Sequence, residues 1–342
     1  MNDIRNLTLD ELKSALSDMG EPAYRAGQIY TWLHVRLVSG FDEMTDISKK
    51  LREKLAESFG LYCLKAVQRQ ISKKDGVEKY LFELEDGQMI ESVMMPYKYG
   101  NSVCISSQAG CRMGCSFCAS TIGGLVRDLT PAEMLGQIYA VTKLTGERVS
   151  NVVVMGTGEP LDNFDNLLKF IYMLTDENGL HISQRNVTVS TCGLADRIRL
   201  LAEKKLQITL AISLHAASDE KRRAIMPVAK SYSIKELIDA AKYYFDMTGR
   251  RITFEYSLIE GVNDTDEDLE LLSRLASGIS AHVNLIPVNP VRETGYRAPD
   301  RAAAESFKER LTKRHISATI RRTLGEDIDA ACGQLRRKAA GQ

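Results

Sequence analysis

The sequence of 342 residues predicts an α/β fold in which parallel strands alternate with helices and curl into a partial (β/α)6 barrel. Three changes of pattern along the chain predict it. The first part has helical spacing, residues 65–97 read as hairpin strands, and apolar runs separated by amphipathic segments follow from residue 101. We therefore expect a helical module over 1–62, an antiparallel β meander over 63–100, and the barrel with a carboxy-terminal tail over 101–342.

The helical module is indicated by capping and by periodicity. Thr8 and Glu11 have the spacing of a capping box, which satisfies the free N–H groups at the start of a helix. The apolar residues that follow repeat at helical intervals: Leu9, Leu12 and Leu16. Residues 48–59 repeat this pattern, so the module should hold more than one helix.

The meander is indicated by its turns. Asp86-Gly87 lies between two apolar runs, and Asp75-Gly76 marks another tight turn just upstream. Both dipeptides favour the turns that join antiparallel strands.

The barrel is indicated by six strand-like runs: SVCISS, NVVVMG, NVTVST, QITLAISLH, RITFEYSLI and AHVNLIPVN. Helical segments fall between them over 131–144, 163–174, 233–245 and 266–276. Such alternation predicts right-handed βαβ units, and six of them can form an incomplete barrel. An open doubly wound sheet is the alternative; the small and polar residues at each strand end favour the barrel.

Composition is that of an ordinary enzyme, with 45 basic groups balanced by 45 acidic ones. No overall charge attracts this chain to nucleic acid, so an RNA contact must come from local basic patches. Three such patches occur, each of a kind more often solvated than binding: 221–223, 321–322 and 336–338. No platform of aromatic and basic residues is evident along the sequence.

The start MNDIRNLTLDEL lacks the features of a signal peptide, and no apolar run is long enough to span a membrane. Seven cysteines, three of them close together, suit a reducing compartment and a metal or redox role. We expect a cytoplasmic protein without a membrane segment.

Cys111, Cys115 and Cys118 in the run CRMGCSFC carry the strongest chemical signal. Three thiolates can hold three irons of a [4Fe-4S] cluster and leave the fourth iron open to a ligand. S-adenosylmethionine can bind such an iron through its amino and carboxylate groups and be reduced to an adenosyl radical. The alternative is a zinc site in which Cys104 supplies the fourth thiolate.

Polar groups after other strands could complete this site. Met155 to Pro160 (MGTGEP) follows an apolar strand, so its glycines would let a ligand approach and Glu159 would offer a carboxylate to an amine. The run could equally be a plain βα turn. Further candidates follow three more strands, and each alone could be a turn or cap residue: Ser190, Ser213 to His215, and Asn289.

Four motifs carry a resemblance that covers almost the whole chain: CISSQAGCRMGCSFCAS, MGTGEPL, SLH and GEDIDAACGQL. Together they closely resemble the radical-SAM adenine methyltransferases of the RlmN and Cfr type. The tail is the specific part, because a cysteine in a near-terminal DAACGQL segment, together with Cys104 ahead of the cluster motif, is similar to this family in particular.

The resemblance implies a mechanism with two catalytic cysteines. Cys332 would accept a methyl group from one S-adenosylmethionine, and a second, bound to the cluster of Cys111, Cys115 and Cys118, would give the radical that activates that methyl group for addition to adenine. Cys104 would then release the product by forming a disulfide with Cys332. Glu91 matches the family's proton acceptor; taken alone it would be a solvated strand residue.

By the same resemblance, S-adenosylmethionine would contact Gly158, Glu159, Ser190, Ser213, Leu214, His215 and Asn289. The implied substrates are an adenine of 23S rRNA in the peptidyl transferase centre and the adenine 3′ of certain tRNA anticodons. The motifs favour the RlmN branch, which methylates C2, over the Cfr branch, which methylates C8.

A flavodoxin-type electron donor and a monomeric enzyme are also expected. Two other classes stay open from the sequence: a radical activase acting on protein, and a zinc-stabilised RNA-binding protein.

Overall fold

A computed structural model describes residues 1–288, 295–328 and Leu335. The helices of these residues are α1 (Leu9–Asp18), α2 (Arg25–His34), α3 (Lys49–Ser58), α4 (Pro131–Thr145), α5 (Phe164–Thr175), α6 (Ala195–Glu203), α7 (Asp219–Ile225), α8 (Ile234–Thr248), α9 (Asp266–Ser277) and α10 (Arg301–Lys313). The strands are β1 (Lys65–Ile71), β2 (Glu78–Glu83), β3 (Met89–Tyr97), β4 (Gly100–Ile105), β5 (Gln108–Gly110), β6 (Leu125–Asp128), β7 (Val149–Val154), β8 (Val187–Thr191), β9 (Thr209–Ser213), β10 (Ile252–Leu258), β11 (Ala281–Pro287) and β12 (Ala318–Ile320).

The amino-terminal module consists of α1, α2 and α3, and the predicted capping box is present. The Thr8 side chain accepts a hydrogen bond from the Glu11 backbone, and the Glu11 carboxylate accepts one from the Thr8 N–H. The module packs on α4, where His34 Nδ1 lies 2.6 Å from the Tyr139 hydroxyl. Both side chains are buried, so this contact joins the module to the rest of the molecule.

The predicted meander is also present, because β1, β2 and β3 pair antiparallel in sequence order. The meander is continuous with the barrel. β3 pairs with β4, and Val93 lies opposite Cys104. All these strands belong to one ten-stranded sheet of order β1-β2-β3-β4-β7-β8-β9-β10-β11-β12.

The six predicted parallel strands are β4, β7, β8, β9, β10 and β11, each paired in parallel with the next. A seventh, β12, pairs in parallel with β11 and was not predicted. It covers only three residues, too few for an alternation of apolar and polar side chains to stand out.

The sheet curls into the expected partial barrel, since its distant parts meet. β3 and β12 are seven places apart in the sheet, about 34 Å if the sheet were flat. Yet Leu324, which follows β12, packs in the same cluster as Cys104 of β4 and Tyr97 of β3. The carboxy-terminal end of the described chain therefore crosses the gap between the two edges of the barrel.

Side chains alternate between the helical layer and the barrel interior, as β10 shows. Tyr256 faces outward and its ring lies 6.2 Å from that of Phe307 in α10. Glu255, the residue before it on the strand, instead accepts a hydrogen bond of 2.8 Å from Asn284 of β11. The barrel interior is thus partly polar, as a cavity for a polar ligand requires.

The predicted helices at 131–144, 163–174, 233–245 and 266–276 correspond to α4, α5, α8 and α9. Four further helices, α2, α6, α7 and α10, lie outside those segments. The basic patch 221–223 falls in α7 and is not a solvated cluster, because Arg222 is fully buried and Lys221 Nζ lies 2.7 Å from Asp268 Oδ2. Within the described part of the chain, no helix has the length and apolar character needed to cross a membrane.

Candidate functional site

A cavity of about 150 Å³ lies at the carboxyl ends of the parallel strands and contains most of the predicted site residues. The three cysteines Cys111, Cys115 and Cys118 line it. They share it with residues at or after the carboxyl ends of β7, β8 and β9, the predicted ones being Gly158, Glu159, Ser190, Ser213 and His215. The fold thus brings together groups that are up to a hundred residues apart in the sequence.

The cysteine loop follows the short strand β5 and is fixed by backbone hydrogen bonds. The Cys111 N–H donates to the Gly124 carbonyl at 3.0 Å, and the Ser116 N–H donates to the Ile225 carbonyl at 2.9 Å. Gly114 has a φ of +70°, a conformation that glycine adopts without strain. The loop is therefore held at both ends while its cysteines face the cavity.

Burial raises the pKa of Cys111 to about 12 and also raises that of Cys115. Bare thiols in this cavity would keep their protons at neutral pH. Metal ligation requires thiolates, so binding iron here must release those protons, and the positive metal must offset the cost of burying the charge.

A fully buried arginine lies beside this group of thiols. Arg222 Nη2 donates to the Cys192 carbonyl at 2.7 Å, and Nε donates to the Leu214 carbonyl at 3.2 Å. Its Nη1 has no hydrogen-bond partner among the described residues. Burial lowers the pKa of Arg222, while the nearby Cys192 and Cys115 thiols act to raise it. A buried positive charge in this position favours negative charge in the cavity.

The glycines of the MGTGEP loop are required by the protein itself. A Cβ on Gly156 would lie 2.7 Å from the Ile105 carbonyl carbon, and one on Gly158 would lie 2.6 Å from Gln108 Cβ. Gly158 also has a φ of +111°. The loop can approach the chain at the end of β4 only because these two residues have no side chain. This packing requirement adds to the access for a ligand that the sequence predicted.

Glu159 is buried, and both of its carboxylate oxygens accept backbone hydrogen bonds. Oε1 accepts from the Leu161 N–H at 3.0 Å, and Oε2 accepts from the Cys192 N–H at 2.6 Å. Burial raises its pKa, and the Cys192 N–H acts to lower it. The side chains of Thr191 and Cys192 also hydrogen-bond to this carboxylate, so its orientation in the cavity wall is fixed from several sides.

The SLH run at the end of β9 divides between the cavity and the core. Ser213 and His215 line the cavity, whereas the Leu214 side chain is fully buried in the hydrophobic core. His215 Nδ1 accepts a hydrogen bond of 3.0 Å from the Ser257 N–H, and burial lowers its pKa to about 3. The ring is therefore neutral, and it packs edge-on against Phe117, another residue of the cavity wall.

Comparisons with known proteins agree with this geometry. Residues 2–61 match the family model of the ribosomal RNA large subunit methyltransferase N-terminal domain, and residues 105–272 match that of the Radical SAM superfamily. A probable dual-specificity RNA methyltransferase RlmN of Lachnospira eligens is 57% identical over 338 residues, covering 99% of this chain and 97% of the relative. The chain belongs to the RlmN family of radical-SAM RNA methyltransferases.

Other relatives agree with this membership. A protein of the same description from Lachnoclostridium phytofermentans is 56% identical and covers 98% of this chain and 94% of the relative. A radical SAM methyltransferase structure from Sphaerobacter thermophilus has a TM-score of 0.93 at 42% identity, covering 98% of this chain and 99% of that one. The family favours a methyltransferase over an activase or a zinc-stabilised binding protein.

The radical SAM family implies a [4Fe-4S] cluster and the use of S-adenosylmethionine. The residues that line the cavity suit both, since three thiols lie next to small and polar residues on neighbouring strand ends. No three His, Cys, Asp or Glu side chains of the described residues converge to hold a single ion. A cubane does not need such convergence, because each of its cysteines binds a different iron.

Cys104 and Glu91 lie in a second group, on the inner face of the meander and barrel sheet. Cys104 packs with Val77 and Met95, and is not among the residues that line the cavity. Glu91 is not the solvated residue that the strand alone suggested: it is buried, and its Oε2 lies 3.0 Å from Lys79 Nζ.

Cys332 and Asn289 lie outside the described residues, as does the basic patch 336–338. Cys192, to which the sequence motifs assign no functional role, lines the cavity together with Thr191 and Met226. The sequence could have indicated this position, because Cys192 comes directly after the strand that carries Ser190.

Proposed function

We propose that this protein methylates C2 of adenine in 23S rRNA and in tRNA, at the adenine 3′ of the anticodon, through an S-methylcysteine formed on Cys332. The observation that carries the proposal is the placement of Cys104. It lies on the inner face of the sheet whose strand ends form the three-cysteine cavity, and it packs against Leu324 and Ile328 of the tail.

The tail contact supports a meeting of Cys104 and Cys332. Cys332 follows Ile328 by four residues, and four residues of chain span at most about 14 Å. Because Ile328 packs in the cluster around Cys104, the length of chain between Ile328 and Cys332 is compatible with a meeting of the two sulfurs.

The placement of Glu91 supports its role as proton acceptor. Glu91 and Val93 are on the same face of β3, and Val93 lies opposite Cys104. Glu91 and Cys104 are thus diagonal neighbours, a spacing of roughly 7–8 Å in an antiparallel pair. The Lys79 ammonium, 3.0 Å from the carboxylate, compensates the burial of its charge, and a carboxylate held near the adduct is a suitable base.

A [4Fe-4S] cluster held by Cys111, Cys115 and Cys118 would supply the electron that cleaves one of two S-adenosylmethionine molecules used per turnover. Gly158, Glu159, Ser190, Ser213, Leu214, His215 and Asn289 would orient this molecule, with Leu214 acting by positioning its neighbours Ser213 and His215 because its side chain is in the core. The Arg222 guanidinium would balance part of the negative charge of the thiolates.

The protein's own sulfurs would carry the one-carbon unit. The Cys332 thiolate would attack the methyl carbon of one sulfonium and release its thioether. An adenosyl radical from the second S-adenosylmethionine would remove a hydrogen atom from this methyl group, and the carbon would then bond to adenine with one electron returned to the oxidised cluster. After Glu91 takes the proton of the substituted carbon, the Cys104 thiolate attacks Cys332 sulfur. The S–S bond forms, the S–C bond breaks, and its electron pair returns to the carbon, which takes up a proton.

Changing Cys332 to alanine tests the proposal. The variant should retain reductive cleavage of S-adenosylmethionine and lose RNA methylation, because its methyl carrier is missing. Mass spectrometry of digested RNA measures the product, and the matched control is Cys63→Ala, since Cys63 is an exposed thiol. Methylation by the Cys332→Ala variant would rule out the carrier role.

The same assay separates the two branches. The tail and the MGTGEPL motif favour the RlmN branch, so RNA from cells with this protein should contain 2-methyladenine in 23S rRNA and in tRNA. Finding 8-methyladenine in its place would assign the Cfr activity. We further propose that a flavodoxin-type protein reduces the cluster, that the helical module 1–62 contacts RNA, and that the enzyme works as a monomer in the cytoplasm.

A further inference from the structure

A pair of stacked tyrosines projects from the turn between β3 and β4. Tyr97 ends β3, and Tyr99 lies in the turn before β4 begins at Gly100. Their rings are 5.0 Å apart and nearly parallel, with an angle of 8° between the planes. Tyr99 is 72% exposed, which is unusual for a large aromatic side chain, and its ring extends the stack into solvent.

The inner end of this stack reaches the proposed catalytic group. Tyr97 packs in the cluster formed by Val77, Met95 and Cys104, and its hydroxyl lies 3.7 Å from Met95 Sδ. The two rings therefore lead from the solvent to the neighbourhood of the Cys104 thiol. A base extruded from RNA toward Cys104 would pass beside them.

Positive charge flanks the stack. Arg321 and Arg322 follow β12, where the tail crosses the gap of the barrel, and both are exposed. Burial raises the pKa of Tyr97, and the charges of these two arginines act in the opposite direction, as expected of guanidinium groups near its hydroxyl. None of the ion pairs among the described residues includes Arg321, Arg322 or Lys98 of the same turn.

We infer that Tyr97, Tyr99, Arg321 and Arg322 form a platform for an unpaired nucleotide next to the target adenine. The exposed face of Tyr99 would stack on the base, and Arg322 would contact its phosphate. Aromatic faces and unpaired cations are the combination that binds single-stranded nucleic acid, and RNA is recognised mainly through unstacked bases. The inference rests on the proposed function and names the part of the surface that holds its substrate.

The sequence did not show this platform, because its two halves are more than two hundred residues apart. The patch 321–322 is one of three basic patches and carries no aromatic residue of its own. Only the curl of the sheet brings it to the β3–β4 turn.

RNA affinity tests the inference without requiring turnover. The probe is a short RNA hairpin with an unpaired adenine in its loop, and fluorescence anisotropy with the full-length, cluster-loaded enzyme measures its dissociation constant. Tyr99→Ala should weaken binding by about fivefold or more, and Tyr99→Phe should bind as the parent does, because stacking needs only the ring. Tyr172→Ala is the matched control, since Tyr172 is another exposed tyrosine, at 47%, but lies on α5.

The charged half is tested through salt dependence. Arg322→Gln should weaken binding. It should also make the negative slope of log affinity against log salt concentration shallower by about 0.7, the value for one lost phosphate contact on a single strand. Arg322 is preferred to Arg321 because the charge of Arg321 also acts on the buried Glu255.

Two results would overturn the inference. One is that Tyr99→Ala binds RNA with the affinity of the parent and Arg322→Gln keeps the salt slope of the parent. The other is that these variants bind RNA as the parent does but their cluster is reduced more slowly by an acidic electron-transfer protein. That result would assign this surface to the electron donor. Neither result bears on the methyl carrier, which the Cys332→Ala assay tests separately.

Discussion

At the scale of single residues, the site depends on side chains that are absent as much as on those that react. Gly156 and Gly158 let the loop after β7 touch the chain after β4, and this contact places Glu159 where it accepts from the Cys192 N–H. The three cysteines line the other side of the same cavity. A steric change at one glycine should therefore act on the cluster without touching a cysteine.

We expect Gly158→Ala to lower both stability and iron content, because its Cβ would clash with Gln108 and its φ of +111° disfavours a side chain. Strain of this kind costs about 1–3 kcal/mol. Thermal unfolding and iron analysis measure the two effects. Gly146→Ala is the control: Gly146 also has a positive φ, but a Cβ there would meet nothing within 4 Å. Equal iron content in both variants would contradict the prediction.

The buried pair of Lys79 and Glu91 allows a second prediction. Lys79→Met should destabilise the protein by about 3–5 kcal/mol, because it removes the ammonium group that lies 3.0 Å from a buried carboxylate. The double variant Lys79→Met/Glu91→Leu should regain most of that stability and remain inactive in RNA methylation. Urea unfolding measures the free energies. A loss below about 1 kcal/mol in Lys79→Met would show that the pair is not effectively buried.

At the scale of elements, the turn between β1 and β2 holds the start of the tail. We call these contacts the tail clasp: the Ser72 hydroxyl and the Lys73 N–H donate to Asp327 at 2.6 and 2.8 Å, and the Gly325 N–H donates to Asp75 at 2.9 Å. The Ser72 hydroxyl, followed by the Lys73 N–H, lowers the pKa of Asp327. Cys332 lies only five residues beyond this anchor.

Asp327→Ala should loosen the tail, since it removes two of the hydrogen bonds of the tail clasp. The expected results are faster proteolysis near the carboxyl terminus and slower methylation, with normal iron content. Glu326→Ala should change little, because its ion pair with Lys74 is exposed and such pairs contribute little. Identical proteolysis of the two variants would mean that the tail clasp does not hold the tail.

At the scale of the whole molecule, the helical module and the barrel share one hydrophobic core. His34 of α2 is buried against Tyr139 of α4, and burial lowers its pKa to about 3. Below a pH of about 6.5 the unfolded chain binds a proton at this histidine and the folded chain does not, so folding stability must fall as the pH falls.

Because of this histidine, we expect the free energy of unfolding to fall by up to about 1.4 kcal/mol for each pH unit below the pKa of histidine in the unfolded chain. His34→Gln should therefore flatten the dependence of unfolding free energy on pH between roughly 6 and 4. Urea unfolding at several pH values measures it. His181→Gln serves as control, because His181 is exposed. His215 adds a similar dependence, so the variant should lose only part of the slope.

Much of this protein is determined by local sequence. The capping box of Thr8 and Glu11, the Asp-Gly turns and the six buried runs are each read within a few residues, and they predicted the module, the meander and the parallel strands. The spacing of Cys111, Cys115 and Cys118 likewise predicts a cluster by itself, because three thiolates on one short loop must lie close together.

Only the tertiary structure decided the features that join distant segments. The three residues of β12 pair as a strand because β11 is beside them, Arg222 is buried because α7 packs beneath the cysteine loop, and Cys192 enters the cavity because β8 ends there. Glu91 lies beside Lys79, and Tyr97 beside Arg321, through the pairing and the curl of the sheet. These contacts depend on which strands become neighbours, and periodicity within one segment cannot specify its partner.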